Sequence, residues 1–216
     1  MQTRSLVIKL VRHGESLANV NGFDPQKEGD FRTPLTDAGL AQARGAGAAL
    51  GGDFLRGALV YLSPYVRARQ TWDELARGAG VASNPPLLYE DPRLREQDHG
   101  YSDVAAQAPM RERHGWFYYR YEGGESPADV YDRVSGFLES MMRQVERKDV
   151  ERVAIVTHGM AIRCFVMRFL HLTVEEFEAI DNPHNGDIVT IAAADRVASP
   201  YKVVGGWAVG GLRARP

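Results

Sequence analysis

Cysteine is almost absent from this chain: Cys164 is the single one in 216 residues, so no intrachain disulfide can form. That usage fits a reducing compartment. Charge of one sign is lacking too. Lys and Arg number 26, Asp and Glu 28, for a formal net charge of -2 without blocks of like charge. A general nucleic-acid footprint is therefore not indicated. No apolar run approaches membrane-spanning length, and the run after Met1-Gln2-Thr3-Arg4 is too short for a secretory leader. Internal repeats and dividing linkers are also missing. The reading is a single domain over residues 1–216, soluble and cytoplasmic, with no membrane or nucleic-acid partner. The composition is compatible with a homodimer and does not require one.

What is present is organised around Leu10-Val11-Arg12-His13-Gly14-Glu15-Ser16-Leu17-Ala18-Asn19. Leu6 to Val11, apolar except for Lys9, reads as a buried strand. It delivers Arg12 and His13 to the carboxyl edge of a sheet, where α/β proteins place their ligands. Arg12 offers a permanently charged planar fork suited to phosphate or carboxylate. His13 offers a nitrogen that can serve as nucleophile, acid or ligand near neutral pH. Gly14 is expected to supply backbone freedom and to let a ligand approach the main chain.

Two more strands end in chemistry. Leu59 to Leu62 runs into Ser63-Pro64-Tyr65-Val66-Arg67-Ala68-Arg69-Gln70-Thr71, which opens a helix with Trp72, Leu75 and Ala76 inward. Arg67 then lies in the first helical turn, where an anion is favoured; Arg69 reads as the solvated one. Val153 to Val156 ends in Thr157-His158-Gly159. If the three strands are parallel neighbours, Arg12, His13, Arg67 and His158 meet in one small, strongly positive pocket. A dianionic phosphoryl group is what such a pocket suits. A further pair of acids, Glu96 and Asp98, is a candidate for acid–base work.

The remaining segments supply structure. Val20 to Thr33, with Gly22, Pro25 and Gly29, reads as a loop rimming the site. Thr36 is a candidate cap of a helix whose Ala- and Gly-rich run, Leu40 to Leu50, permits close packing against a sheet. Ser126 caps another helix with Pro127 at its first position, and Thr173 with Glu176 forms a capping box. Leu87 to Tyr89 is a short strand. Ile188 to Ala193 is a last one, with Tyr201 to Val204 as its partner, and Gly205 to Pro216 reads as mobile. Tyr101 to Glu122 interleaves aromatic and basic residues and fits either a substrate lid or a helix packed on the core.

Taken in order, the Arg-His-Gly stretch, Pro34-Leu35-Thr36-x-x-Gly39, Ser63-Pro64-x-x-Arg67-Ala68-x-x-Thr71, Leu94-x-Glu96-x-x-x-Gly100, Gly123-Gly124-Glu125-Ser126 and Thr157-His158-Gly159 resemble the signatures of the histidine phosphatase superfamily. The resemblance implies a phosphoglycerate mutase-like fold: three layers, α/β/α, around a mostly parallel sheet with helices on both faces. It implies a lid insert at about residues 97–125, no metal and no cofactor, and a small phosphorylated substrate. It makes His13 the nucleophile that becomes a phosphohistidine, its other ring nitrogen held by a carbonyl such as that of Gly14. Arg12, Arg67 and His158 bind the phosphoryl group, and Glu96 is the proton donor with Asp98 as the fallback. Ser16, Asn19 and Gly159, which lie in the matching motifs, would support the bound phosphate.

The rival within the superfamily is a phosphoglycerate mutase. The compact span between Glu96 and His158 and the Asp98-His99-Gly100 run depart from the mutase form, so hydrolysis of phosphomonoesters is the main reading. A metal hydrolase using His13, Glu15, Asp98, His99 and His158 would have to hold a cation beside two arginines. A non-catalytic phosphate binder would not need all five expected catalytic residues.

Overall fold

Alternation in the strands builds a sheet with two apolar faces. In the computed structural model, which describes residues 5–20 and 23–215, Val153 and Ile155 enter one cluster while Ala154 and Val156 enter the other. Leu59 and Tyr61 separate from Val60 and Leu62 in the same way. This is the period-two pattern of a strand buried on both sides. The residues in question are 5 % exposed or less. Met1 to Arg4, on which the leader reading rests, and Gly22 lie outside the described residues.

In chain order the elements are β1 (Val7–Arg12), α1 (Pro25–Glu28), α2 (Asp37–Leu50), α3 (Gly52–Leu55), β2 (Leu59–Leu62), α4 (Val66–Ala79), β3 (Leu88–Glu90), α5 (Ala108–His114), α6 (Pro127–Lys148), β4 (Arg152–Thr157), α7 (Gly159–Leu170), α8 (Val174–Glu178), β5 (Ile188–Ala193), β6 (Lys202–Val204) and β7 (Trp207–Gly210). The sheet order is β3-β2-β4-β1-β5-β7-β6. The four strands from β3 to β1 are mutually parallel. β5, β7 and β6 continue the sheet by antiparallel pairing. Helices α6, α7 and α8 supply the cluster on one face, and α2 and α4 that on the other. Among the described residues no helix is long and apolar enough to cross a membrane.

The caps fall where the sequence places them. Thr36 accepts from the Gly39 N–H, Ser126 and Asp129 form a reciprocal box with Pro127 in the first turn, and Thr173 pairs with Glu176. Each such cap is worth about 1 kcal/mol. The small residues of α2 act differently from the expectation of packing against the sheet alone. A Cβ on Gly47 would lie 2.0 Å from the Leu75 carbonyl oxygen, so glycine lets α2 lie directly on α4.

Three further differences concern local segments. The loop from Val20 to Thr33 holds the one-turn α1. On the side away from β1, β5 pairs with β7, inside the glycine-rich end read as mobile, and β6 pairs with β7 instead of β5. The two glycines between β6 and β7 adopt positive φ and turn the chain back, making a hairpin rather than a loose tail. In the segment 101–122, the helix is confined to α5, while Phe117 and Tyr121 are buried and Tyr101 and Tyr118 are exposed.

Candidate active site

The site is built by register. Arg12 lies opposite Thr157 and Leu62 opposite Val156, so β1, β4 and β2 end together. The ladder runs one step further: the His13 N–H donates to Thr157 O (2.9 Å) and the Ser63 N–H to Val156 O (2.9 Å). His13, His158 and the start of α4 are thereby fixed side by side, as the convergence argument requires. Gly14 is needed for a reason other than the one expected. It has no left-handed φ; a Cβ there would sit 2.2 Å from Gly39 O. Its own N–H donates to Thr71 Oγ1 at 3.1 Å. Glycine thus lets the Arg12-His13-Gly14 turn lie against the start of α2.

The two histidines use opposite nitrogens. His13 Nδ1 lies 2.7 Å from Gly14 O. A carbonyl only accepts, so Nδ1 carries the proton and Nε2 presents its lone pair. His158 Nε2 instead lies 2.7 Å from Ser63 Oγ. The Tyr65 N–H donates to that hydroxyl (3.4 Å), whose own proton can serve Nε2, leaving the ring proton on Nδ1. The ring centroids of His13 and His158 are 5.0 Å apart at 61°. Burial, followed by the charge of Arg67, pushes both imidazoles well below the ordinary histidine value. For His13 the Gly14 carbonyl opposes that shift and the Arg12 charge adds to it. Both rings are therefore neutral, the form in which an imidazole nitrogen can attack.

The arginines keep donors in reserve. Arg12 Nη1 donates to Pro183 O at 2.6 Å, and Arg67, 3 % exposed, is paired with Asp30 at 2.8 Å. Arg12 Nε, Arg67 Nε and His158 Nδ1 are buried and have no hydrogen-bond partner among the described residues. Leaving buried donors unsatisfied costs about 1–3 kcal/mol each. An anion bound between them removes that cost by charge-assisted bonds.

A cavity of about 1140 Å³ opens here, with Arg12, His13, Ser16, Asn19, Arg67, Glu96 and Asp98 in its wall. His158 lies outside this lining and is fully buried. Gly159, at the start of α7, is not in the wall either; a Cβ there would approach Asn182 to 3.0 Å. Asn19 Oδ1 accepts from the Ser16 N–H and Oγ–H and from Asn185 Nδ2, so Asn19 braces the turn. Arg69 turns to Glu90 on the surface, as a solvated residue should.

Several contributors escaped the sequence reading. Arg133 donates to the carbonyls of Arg93 (2.6 Å), Arg95 (2.9 Å) and Glu96 (3.0 Å), and is held by Glu125. Thr157 Oγ1 donates to Leu94 O at 2.7 Å. Together they clamp the segment that carries Glu96 to the strand ends. The Gly-Gly-Glu-Ser run was the available signal, since Glu125 also accepts the Asp98 N–H at 3.1 Å. Asn185 donates to His13 O at 3.0 Å from the segment between α8 and β5.

Comparison with known proteins agrees with this geometry. The family model described as histidine phosphatase superfamily (branch 1) matches residues 8–199. The chain is similar to the phosphoglycerate mutase-like protein AT74 of Arabidopsis thaliana, 38% identical over 199 residues, 84% of this chain and 63% of that one. It is similar to the broad-range acid phosphatase DET1 of Saccharomyces cerevisiae, 40% identical over 110 residues, 47% of this chain and 33% of that one. The chain thus spans less than two thirds of the length of either relative. Among solved structures, a mycobacterial glucosyl-3-phosphoglycerate phosphatase in complex with VO3 superposes with a TM-score of 0.71 at 23% identity, covering 95% of this chain and 98% of that one. That likeness concerns the fold.

Proposed function

The chain belongs to the histidine phosphatase superfamily, branch 1, and from that premise we propose that it is a phosphatase that hydrolyses phosphomonoesters through a phosphohistidine on His13. The observation that carries this reading is the pairing of a neutral His13, its Nε2 available, with three buried donors, on Arg12, Arg67 and His158, that find no partner among the described residues. His13, Arg12 and Arg67 share the cavity wall, and His158 is buried beside His13. The phosphatase DET1 among the similar proteins supports hydrolysis as the outcome.

In the first step the Nε2 lone pair forms the N–P bond as the ester P–O bond breaks. Glu96 gives its proton to the leaving oxygen, and the arginines and His158 hold the charge on the three phosphoryl oxygens. In the second step Glu96 takes a proton from water. The water oxygen bonds phosphorus, the N–P bond breaks, and its electron pair returns to Nε2. Asp98 is the second acid of the same wall. Ser16 and Asn19 hold the turn around the phosphate, and Gly159 begins the helix behind it. Residues 1–216 act as one domain, and the insert at 97–125 covers the leaving group. No metal enters the cycle, because a cation would face two guanidinium groups.

The test is hydrolysis of an aryl phosphate in chelator, beside His13→Ala. Activity in the parent that is lost in the variant supports the reading. Chelator-sensitive activity, or activity retained by the variant, contradicts it. Labelling by 2,3-bisphosphoglycerate with isomer exchange and no hydrolysis would assign the chain to the mutase reaction.

A further inference from the structure

The loop after the catalytic turn carries an acid that the cycle above leaves without a role. Asp30 lies in the cavity wall. Arg67 Nη1 donates to its main-chain oxygen (2.8 Å) and to Oδ1 (2.8 Å), and Nη2 donates to Oδ2 at 3.1 Å. A guanidinium has five N–H bonds in a fixed plane. Asp30 takes both from Nη1 and one from Nη2. The two that remain, on Nε and Nη2, lie along one edge of the plane, and Nε is buried without a partner among the described residues. That edge is a fork matched to two oxygens of a phosphoryl group. Asp30 holds the end of the guanidinium and leaves the edge open.

We propose that Asp30 is a positioning residue: it fixes the rotation of the Arg67 guanidinium so that the Nε–Nη2 edge meets the transferring phosphoryl group. The proposal rests on the phosphatase reading above. The alternative is a carboxylate that stands in for substrate on Arg67 and must leave when substrate arrives. Three features favour a fixed brace. The main-chain oxygen of Asp30 takes one of the three N–H groups, and a side-chain swing cannot release it. The loop is closed on itself, with the Thr33 N–H donating to Asp30 O (3.2 Å) and Thr33 Oγ1 to Gly29 O (3.1 Å). It is also docked on the start of α4: the Val66 N–H donates to Phe31 O (3.1 Å), Phe31 meets Tyr65 edge-on at 5.6 Å, and the Tyr65 ring lies 4.9 Å from the Arg67 guanidinium carbon.

The experiment is a double-mutant cycle with Asp30→Ala, Arg67→Ala and the pair, plus Asp30→Asn. Hydrolysis of an aryl phosphate supplies kcat and KM, and thermal melting checks the fold. A second readout needs no turnover: titration calorimetry with inorganic phosphate. Asp30→Ala is expected to lower kcat by about 10–100-fold with a smaller change in KM, because misplacement of a group that acts in the transition state falls on kcat. Asp30→Asn, which keeps an acceptor oxygen and the main-chain bond, is expected to recover most of that loss. In the Arg67→Ala background, Asp30→Ala is expected to change neither kcat nor phosphate affinity, because the group it positions is gone. A rise in kcat/KM for Asp30→Ala overturns the proposal in favour of a competing carboxylate. Equal effects of Asp30→Ala with and without Arg67, in either readout, overturn it in favour of a merely structural loop. An inactive parent would be a failure of the phosphatase reading, and the calorimetric cycle would still decide on Asp30.

Discussion

Arg12-His13-Gly14 and Thr157-His158-Gly159 end two paired parallel strands and look alike in sequence, yet they present opposite nitrogens. In the first turn Nδ1–H donates to the neighbouring carbonyl of Gly14, and Nε2 is left with its lone pair. In the second, Ser63 engages Nε2 from the end of a third strand, and the unsatisfied atom is Nδ1. The strand ends fix where each imidazole stands. The oxygen that each meets fixes which nitrogen is left for chemistry, and in the proposed function this separates a nucleophile from a donor. Motif and role are therefore distinct: one is set by β pairing, the other by a single hydrogen-bond partner.

Substitutions can break this comparison. His13→Ala should lower kcat/KM on an aryl phosphate by about ten-thousand-fold or more, since removal of a nucleophile abolishes the covalent route. His158→Ala should cost less, about 10²–10³-fold, the effect of losing one donor to a transition-state oxyanion. Phosphoenzyme should still form in that variant, more slowly, as followed by rapid quench. Loss of labelling in both variants would make the two turns equivalent and remove the distinction. Ser63→Ala should cost roughly tenfold, because His158 stays in place but its ring proton is no longer directed to Nδ1.

The smallest effect concerns pH, and its sign follows from burial. Both imidazoles are held well below the ordinary value of 6.5, by desolvation first and by the Arg67 charge second. Unfolded histidines take up protons near pH 6.5 while these two do not. Stability is therefore full above that pH and falls as pH drops through and below it, until the folded rings protonate. Denaturant midpoints measured between pH 7.5 and 5 should decline. Proton-detected titration should find both rings neutral at pH 6, and a ring titrating at its ordinary value would show that its burial is not maintained in solution.

The parallel half of the sheet and the residues at its carboxyl edge were legible in the sequence because local signals suffice there. Apolar runs ending in charged residues and glycine mark strands that open on a site, and Thr36, Ser126 and Thr173 mark helix starts. Arg67 and Glu96 were legible from spaced motifs. What stayed hidden depends on contacts between distant segments. Arg133 lies 37 positions from Glu96, whose carbonyl it holds, and reads in sequence as one more charged helical residue. Asp30 sits in a loop without periodicity. Its meaning appears only when Arg67 is brought beside it. The β6–β7 hairpin was missed because its glycines outweighed the short apolar run of β7, whose Ala208 and Val209 are buried against β5.

The central claim, that Nε2 of His13 is the nucleophile, is tested most directly by phosphorus NMR of the trapped phosphoenzyme. Glu96→Gln, loaded with an aryl phosphate whose leaving group needs no proton, would accumulate the intermediate by slowing its hydrolysis. Peptide mapping by mass spectrometry then identifies the residue. The account predicts one phosphohistidine, on His13, with the chemical shift of the Nε2 isomer. Phosphate on Nδ1, on His158 or on an oxygen nucleophile would contradict it.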